Sequence, residues 1–537
     1  MGTERTQTIS RFTAAAVATA LSAAISFADG TTPDIPGPAS EVYELSVNGT
    51  PVKVVSFKDI HYAQCTAVKD AAVEVRVKRG GVSSARVQPS AFGIKPSIES
   101  STVRFTVPRP MQIVVQIDFL EKLFLFIEPP SETPPTGAVN ALSAGAVADG
   151  VTDNTAALQS AIDALPAGGT ILIPAGHFRS GSLRLKSEMT LFLASGALLQ
   201  AIDDITKILP VPGGKIQIAF LAADGVTNLT IAGHGTIDAN GYIIRKAFEK
   251  AENVKKKAGR ILIVKNGKNV AIRGVTVRDS YSWNIHCMFI DGLTIRGVKI
   301  LSDVRLSNHD GFDIESSSNV LVENSFAFTE DDGITPKARV GWNIIENHTY
   351  RNMVIWAHKA NAIRVGTESA CTTMRNFIFE NIYILNGADA IRMDTTEGAV
   401  YDNFTFRNIW IEDLLQYYDE RYERNKERKP IDPSRVFYFW VSRTKDAKSG
   451  EYSPLGRIKN IRFENITISD DRILSRIDVS EAVTKFALES GATPLIENIT
   501  FSNIVRGAKP ISSPDEIGFS APLEKYGKLV ANIIVTK

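Results

Sequence analysis

A short pattern recurs through most of this 537-residue chain. An Asn or Gly opens it, apolar residues alternate with others, a second Asn or Gly follows, and two or three more alternating apolar positions close it. It reads NLTIAGHGTI from Asn228, NVAIRGVTV from Asn269, GLTIRGVKI from Gly292 and NVLVENSFAF from Asn319. It continues as NFIFENIYI from Asn376, NFTFRNIWI from Asn403, NIRFENITI from Asn460 and NITFSNIV from Asn498, with a weaker copy, NMVIWAH, from Asn352. Where no insertion intervenes, the starts lie 23 to 33 residues apart. Alternation of this kind predicts strands with one buried face. A fixed period of this size predicts stacked coils rather than a globular sheet. Asn or Gly at each bend suits turns that need positive φ. The expectation is an all-β chain whose residues 138–537 form a right-handed parallel β-helix, with the run Asn319 to Phe328 stacked beside the rung near Asn352. An antiparallel sandwich would need tight hairpin turns, which these repeats largely lack.

The segment before the coil has a different texture. Within residues 29–130, the runs YELSVNGTPVKVVSF, AAVEVRVKRG, STVRFTVPRP, MQIVVQIDF and LFLFIEPP alternate and are separated by Asn48-Gly49 and Gly80-Gly81. This predicts an antiparallel β-sandwich. Residues 131–137, Ser-Glu-Thr-Pro-Pro-Thr-Gly, follow Pro129-Pro130 as a Pro-rich linker. At the start, Arg5 and Arg11 precede an Ala-rich apolar run from Phe12 to Phe27, and Ser26-Phe27-Ala28 fits a small-x-small cleavage site. Residues 1–28 therefore read as a signal peptide, and the protein is expected to be secreted or periplasmic. No later run is long or apolar enough to span a membrane. With 60 basic against 59 acidic residues there is no surplus that points to nucleic acid. Cys65, Cys287 and Cys371 are too few for a disulfide scaffold or a Cys-based metal site. A monomer without cofactor or metal is expected. Four of the six Asn-x-Ser/Thr sequons, at Asn228, Asn403, Asn465 and Asn498, fall inside the repeat, where Asn can serve packing; Asn48 and Asn347 lie outside it.

The stretch NHDGFDIESSSNVLVENSFAFTEDDGITPK, Asn308 to Lys337, carries the chemistry. If Asn319–Phe328 is one rung, Asp310 and the pair Asp331/Asp332 sit on neighbouring turns at one face. Glycoside hydrolysis needs such a set: one protonated carboxyl donates to the leaving oxygen and another activates water. Asp331 is the expected donor, its pKa raised by acidic neighbours, while Asp310 and Asp332 share the water as bases. Glu330 tunes their field, and Asp313 is expected to bind substrate. Arg364 and Arg392, in AIRVG and AIRMD, form a ladder one coil apart that could hold sugar hydroxyls. Trp283, Tyr281 and Trp356 are candidate sugar platforms. The segments 240–260 and 414–457 leave the pattern and read as loops that wall a cleft. Two other classes use the same features: a Ca²⁺-dependent polysaccharide lyase, with clustered acids as oxygen ligands, and a non-catalytic glycan-binding protein.

Residues 149–185, DGVTDNTAALQSAIDALPAGGTILIPAGHFRSGSLRL, resemble the opening of pectin-lyase-like β-helix proteins, with Leu158 and Ile162 on one face of a helix that caps the first coil. Together with Asn308-His309-Asp310 and Asp331-Asp332, the chain resembles the clan of inverting hydrolases that joins glycoside hydrolase family 28, polygalacturonases, and family 49, dextranases and isopullulanase. The family 28 pattern Asn-Thr-Asp, Asp-Asp, Gly-His-Gly, Arg-Ile-Lys is met only in part. Its His position reads Ala360-Asn361-Ala362, and its Arg-Ile-Lys reads Arg392-Met393-Asp394. An acid where that family has a uronate-binding Lys implies a neutral sugar. Family 49 also has a sandwich before its coil, and Ile355-Trp356-Ala357-His358-Lys359-Ala360-Asn361 looks similar to its segment after the Asp pair, although its lysine is displaced here to Lys337. The resemblance therefore implies a family 49-like enzyme acting on a dextran-like α-glucan. Asp313, Lys337, Asn361, Arg364, Arg392, Asp394 and Trp283 would contact substrate. Polygalacturonase-type pectin hydrolysis is the alternative.

Overall fold

The computed structural model describes residues 35–130, 132–211, 218–251, 259–339, 344–370, 373–412, 414, 434–445 and 449–537. The expected signal segment, Cys371 and residues 415–433 of the second insertion lie outside them. From Val139–Asn140 to Val530–Thr536, each strand pairs in parallel with the strand one turn later in one continuous right-handed coil. Among the described strands an antiparallel pairing joins Ile496–Arg506 to Lys509–Pro510, and single antiparallel bridges join Pro210 to Ile218 and Lys445 to Tyr452.

Two asparagine ladders hold the bends. Asn319, Asn347, Asn376 and Asn403 each donate a side-chain amide to the Asn or Asp one rung earlier (2.7, 3.0, 3.4 and 2.8 Å). Asn352, Asn381, Asn408, Asn465 and Asn503 do the same in a second row. All nine have φ between 50° and 62°, where Asn is among the few residues tolerated at little cost. The ladders correct the repeat register. Asn319 aligns with Asn347, and Asn324 with Asn352, so the weak copy begins at Asn347. The run Asn319–Phe328 does lie on the rung beside Asn352. The Asn347 sequon thus belongs to the ladder with the other four.

Inward positions stack like on like. Tyr350, Phe379, Phe406, Phe463 and Phe501 lie ring over ring at 4.7–5.0 Å, which is the spacing of adjacent strands. The helix Thr155–Ala164 covers the first coil with Leu158 and Ile162 buried. This seals an edge that would otherwise invite pairing.

Residues 43–128 form two five-stranded sheets with their own apolar core. Pairing is antiparallel, except that Leu123–Glu128 runs parallel to Ile60–Thr66. The sandwich docks on the coil through Phe57, Tyr62, Phe124 and Phe126 against Leu301, Phe326, Phe328, Val354 and Trp356. Phe124 sits 5.2 and 5.0 Å from the Phe326 and Phe328 rings. Ion pairs also join the two domains: buried Lys299 pairs with Glu128, and buried Glu412 with the more exposed Arg86.

The segment 414–457 does not leave the coil entirely. Arg435–Val441 is a full rung between Asp389–Thr395 and Leu474–Val479. The segment 240–260 contributes a helix, Gly241–Lys250. Among the described residues no helix is long and apolar enough to cross a membrane, and Cys65 and Cys287 are free and buried.

Candidate active site

One corner of the coil repeats on every rung. The inward residues Ile285, Phe312, Ile334, Ile363, Ile391 and Phe437 are in register. Two residues before each comes a column of Trp283, Asp310, Asp332, Asn361, Asp389 and Arg435. Backbone bonds fix it: Gly311 N–H donates to Asp332 O at 2.8 Å, and Gly333 N–H to Asn361 O at 2.8 Å. The rungs approach so closely here that a Cβ on Gly311 would lie 2.4 Å from the Gly333 carbonyl. Strands ~4.8 Å apart thus place Asp310 and Asp332 on adjacent rungs of one column, with Asp331 beside them.

Each acid has its own environment. Asp332 is buried and accepts from the Asn361 backbone N–H (2.9 Å), Asn361 Nδ2 (2.5 Å) and Arg364 Nη1 (3.3 Å). All three are donors, so Asp332 is received as a carboxylate. Asp331 is less buried. Its Oδ1 accepts from the Asp332 N–H (3.0 Å), and Asn308 Nδ2 lies 3.4 Å from its Oδ2. Burial first, then Asp332 and Glu330, push its pKa up to about 7, against the pull of Arg364. This is the condition of a carboxyl that stays protonated near neutrality. Asp310 is also raised, by burial and then Asp313, while Lys337 opposes the shift.

Lys337 organises the N-terminal flank. Its Nζ lies 2.9 Å from Asp313, 3.6 Å from Asp310 and 3.6 Å from Glu368. It also stands 3.6 Å from the centre of the Trp283 ring, where Arg260 Cζ lies at 3.9 Å. Buried and covered by two cations, Trp283 is a wall of this ion cluster and not an open sugar platform. Asp313, fully buried, is Lys337's partner.

On the C-terminal flank Asp394 carries the arrangement. It is fully buried under its partners and accepts from Arg364 Nε and Nη2 (3.0 and 2.9 Å) and Arg392 Nε (2.8 Å). Arg364 and Arg392 form the expected ladder, but Arg364 is spent between Asp394 and Asp332. Arg392 also reaches Asp389 at 3.2 Å, and Asp389 accepts from Arg435 at 2.6 Å. Asn361 holds Asp332 in place. Tyr281 is buried in the coil's core, and Trp356 belongs to the domain seam under Lys122.

Sequence reasoning missed Glu315, Glu368, Arg260, Asp389 and Arg435. The signal for the last two was the column itself: Asp389-Ala390-Ile391 repeats the spacing of Asp332-Gly333-Ile334. Among the described residues no set of three His, Cys, Asp or Glu side chains converges in a metal-holding arrangement. A cavity of about 740 Å³ lies on the sandwich, lined by Glu74, Phe92 and Arg104. It contains none of the acids of the coil's corner, and the chemistry of the column outweighs its size.

A parallel coil with carboxylates converging at one corner defines the class of β-helix glycoside hydrolases. Residues 167–428 match the model of glycosyl hydrolases family 28, which supports glycoside hydrolase activity. The chain is 31% identical over 216 residues to a probable polygalacturonase of Vitis vinifera, covering 37% of this chain and 43% of the relative. It is 26% identical over 438 residues to an exo-poly-alpha-D-galacturonosidase of Dickeya chrysanthemi, covering 69% and 72%. The chain thus spans less than half of the first relative. The family 28 exopolygalacturonase of Yersinia enterocolitica superposes with a TM-score of 0.55 at 18% identity, over 93% of this chain and 99% of that one. Dex49A of Penicillium minioluteum gives 0.57 at 12%, over 94% and 96%. The two superpositions establish the fold alone. The expected family 49 preference and dextran-like substrate find no support in them, while the family match and the named relatives favour the polygalacturonase side. The neutral-sugar expectation rested on Asp394 as an acid open to the substrate, and the structure instead buries it beneath Arg364 and Arg392.

Proposed function

We propose that the protein is an inverting hydrolase of galacturonan-type polysaccharides. One observation carries the mechanism: in a single corner, Asp331 has a carboxyl raised to about 7 while its neighbour Asp332 is held by donors alone. Asp331 gives its proton to the glycosidic oxygen as the bond from the anomeric carbon breaks, and the electron pair leaves with that oxygen. A water held by Asp332 and Asp310 attacks from the opposite face and passes a proton to the carboxylate. Lys337, 3.6 Å from Asp310, offsets the cost of a charge there. The relatives' names supply the substrate class, and Arg392, partly exposed two rungs on from Asp332, supplies a guanidinium suited to a uronate carboxylate. Export, read from residues 1–28, is part of the same proposal.

The test is release of reducing ends from polygalacturonate, dextran and pullulan under matched conditions. Galacturonan cleavage that disappears in Asp331→Asn is expected. Faster turnover of dextran would sink the substrate assignment, and unsaturated products would sink the hydrolase mechanism.

A further inference from the structure

The outward side chains of the active corner continue past the acids. Counting C-terminally from the rung Ile334–Lys337, Arg364 lies one rung on, Arg392 and Asp394 two, Tyr438 and Trp440 three, and Arg476 and Asp478 four, all in register. At ~4.8 Å per rung, the Trp440 rung is about 14 Å and the Arg476 rung about 19 Å from the rung of Asp332.

Three guanidinium groups gather on Tyr438. Arg435, Arg392 and Arg476 place Cζ 4.2, 4.5 and 5.7 Å from its ring centre, and Arg392 is 5.4 Å from the Trp440 ring. Two of their acids are deep: Asp389 and Asp394 are 1% and 0% exposed beneath Arg392 at 15%, whereas Asp478 is 32% exposed beside Arg476 at 38%. Asp478 ties the outer pair, accepting from the Tyr438 hydroxyl at 2.7 Å and pairing with Arg476 at 2.7 Å. The strand's inward residues are Phe437 and Phe439. Trp440 belongs to the outward set and is only partly covered. A strand with packing as its sole task has no use for an indole there beside a row of arginines. Toward solvent this strip offers the Arg392 and Arg476 guanidiniums and an aromatic face, with the carboxylates of Arg392 underneath and Asp478 beside Arg476.

The geometry points to a second binding stretch for a polyuronate chain, centred on Trp440 and Arg476, which grips sugar units three to four rungs from the bond that is cleaved. It rests on the galacturonan reading above. Guanidinium forks match carboxylates, and the indole offers a broad apolar surface to a pyranose ring. Contacts this far from the reacting bond serve long chains and are out of reach of a dimer or trimer.

The experiment compares kcat/KM on a long oligogalacturonide with that on the trimer, for wild type, Trp440→Ala and Arg476→Gln. The long-to-short ratio should fall about tenfold in each variant, the worth of one charge-assisted or stacking contact, through KM on the long substrate. Arg476 is exposed enough that its variant reports even if Trp440→Ala fails to fold. An unchanged ratio overturns the proposal. So does an equal loss on both substrates, which would place these residues in the fold or at the cleavage point. A wild-type enzyme active on another polymer but on no galacturonide overturns the substrate assignment itself, and with it the ligand named here.

Discussion

The alkaline limb of the pH profile is a direct consequence of where Asp331 sits. As proton donor it must be protonated. With its pKa at about 7, kcat/KM should fall tenfold per pH unit above that point. The charges that set the value make two variants move the limb in opposite directions. Glu330 raises Asp331, so Glu330→Gln should shift the limb to lower pH. Arg364 lowers Asp331, so Arg364→Gln should shift it to higher pH. Neither should collapse the site. Asp394 keeps Arg392 at 2.8 Å and Asp332 keeps Asn361 at 2.9 Å. Losing Arg364 therefore costs about 1.5–3 kcal/mol per charged hydrogen bond, not the roughly 3–5 kcal/mol of a stranded buried charge. Stability follows the same sign. The native pKa lies above the unfolded one of 3.8, so the unfolded chain ionises first, and the Asp331 contribution is lost as pH rises toward about 7. The assay is kcat/KM on a soluble oligogalacturonide across the limb, with thermal melts in parallel. Movement of both variants in the same direction, or of neither, would refute the electrostatic account of the donor.

Other consequences test separate parts of the structure. Asp331→Asn should lose about 10²–10⁴-fold in kcat with a melting temperature no lower than that of wild type, because the amide keeps the shape and loses the acid. Trp356→Ala should destabilise the domain seam by about 3–5 kcal/mol, read as a lower denaturant midpoint; an unchanged midpoint would mean that the seam contributes little. At Asn347, where φ is 62°, Ala suffers the left-handed backbone and also loses the ladder bond, whereas Gly loses only the bond. Asn347→Gly should therefore melt above Asn347→Ala.

Much of this molecule was legible because the coil writes its period into the chain. Asn319, Asn376 and Asn403 mark bends, and the apolar alternation marks the inward stack. The acid column was legible for the same reason, since Asp310 and Asp332 precede Phe312 and Ile334 by the same two residues. What failed were readings that depend on what lies across from a side chain. Arg435–Val441, RVFYFWV, has no opening Asn, and its near-continuous apolar run hid the rung. Trp356 sits in the same outward set as Phe328, and only the docked sandwich decides that both are buried. Asp394 was read as facing the substrate, because a sequence does not say that two arginines one rung apart will fold over one carboxylate. The apolar outward residues Phe326 and Phe328 were the available signal for a docking face.

The central claim is inverting hydrolysis by the Asp331 corner, and proton NMR of the first product formed from an oligogalacturonide tests it most directly. The account predicts that the anomeric configuration of the newly released reducing end is opposite to that of the linkage cleaved, seen before mutarotation, and that this signal disappears in Asp331→Asn. A first product with retained configuration, or undiminished product from Asp331→Asn, would contradict it.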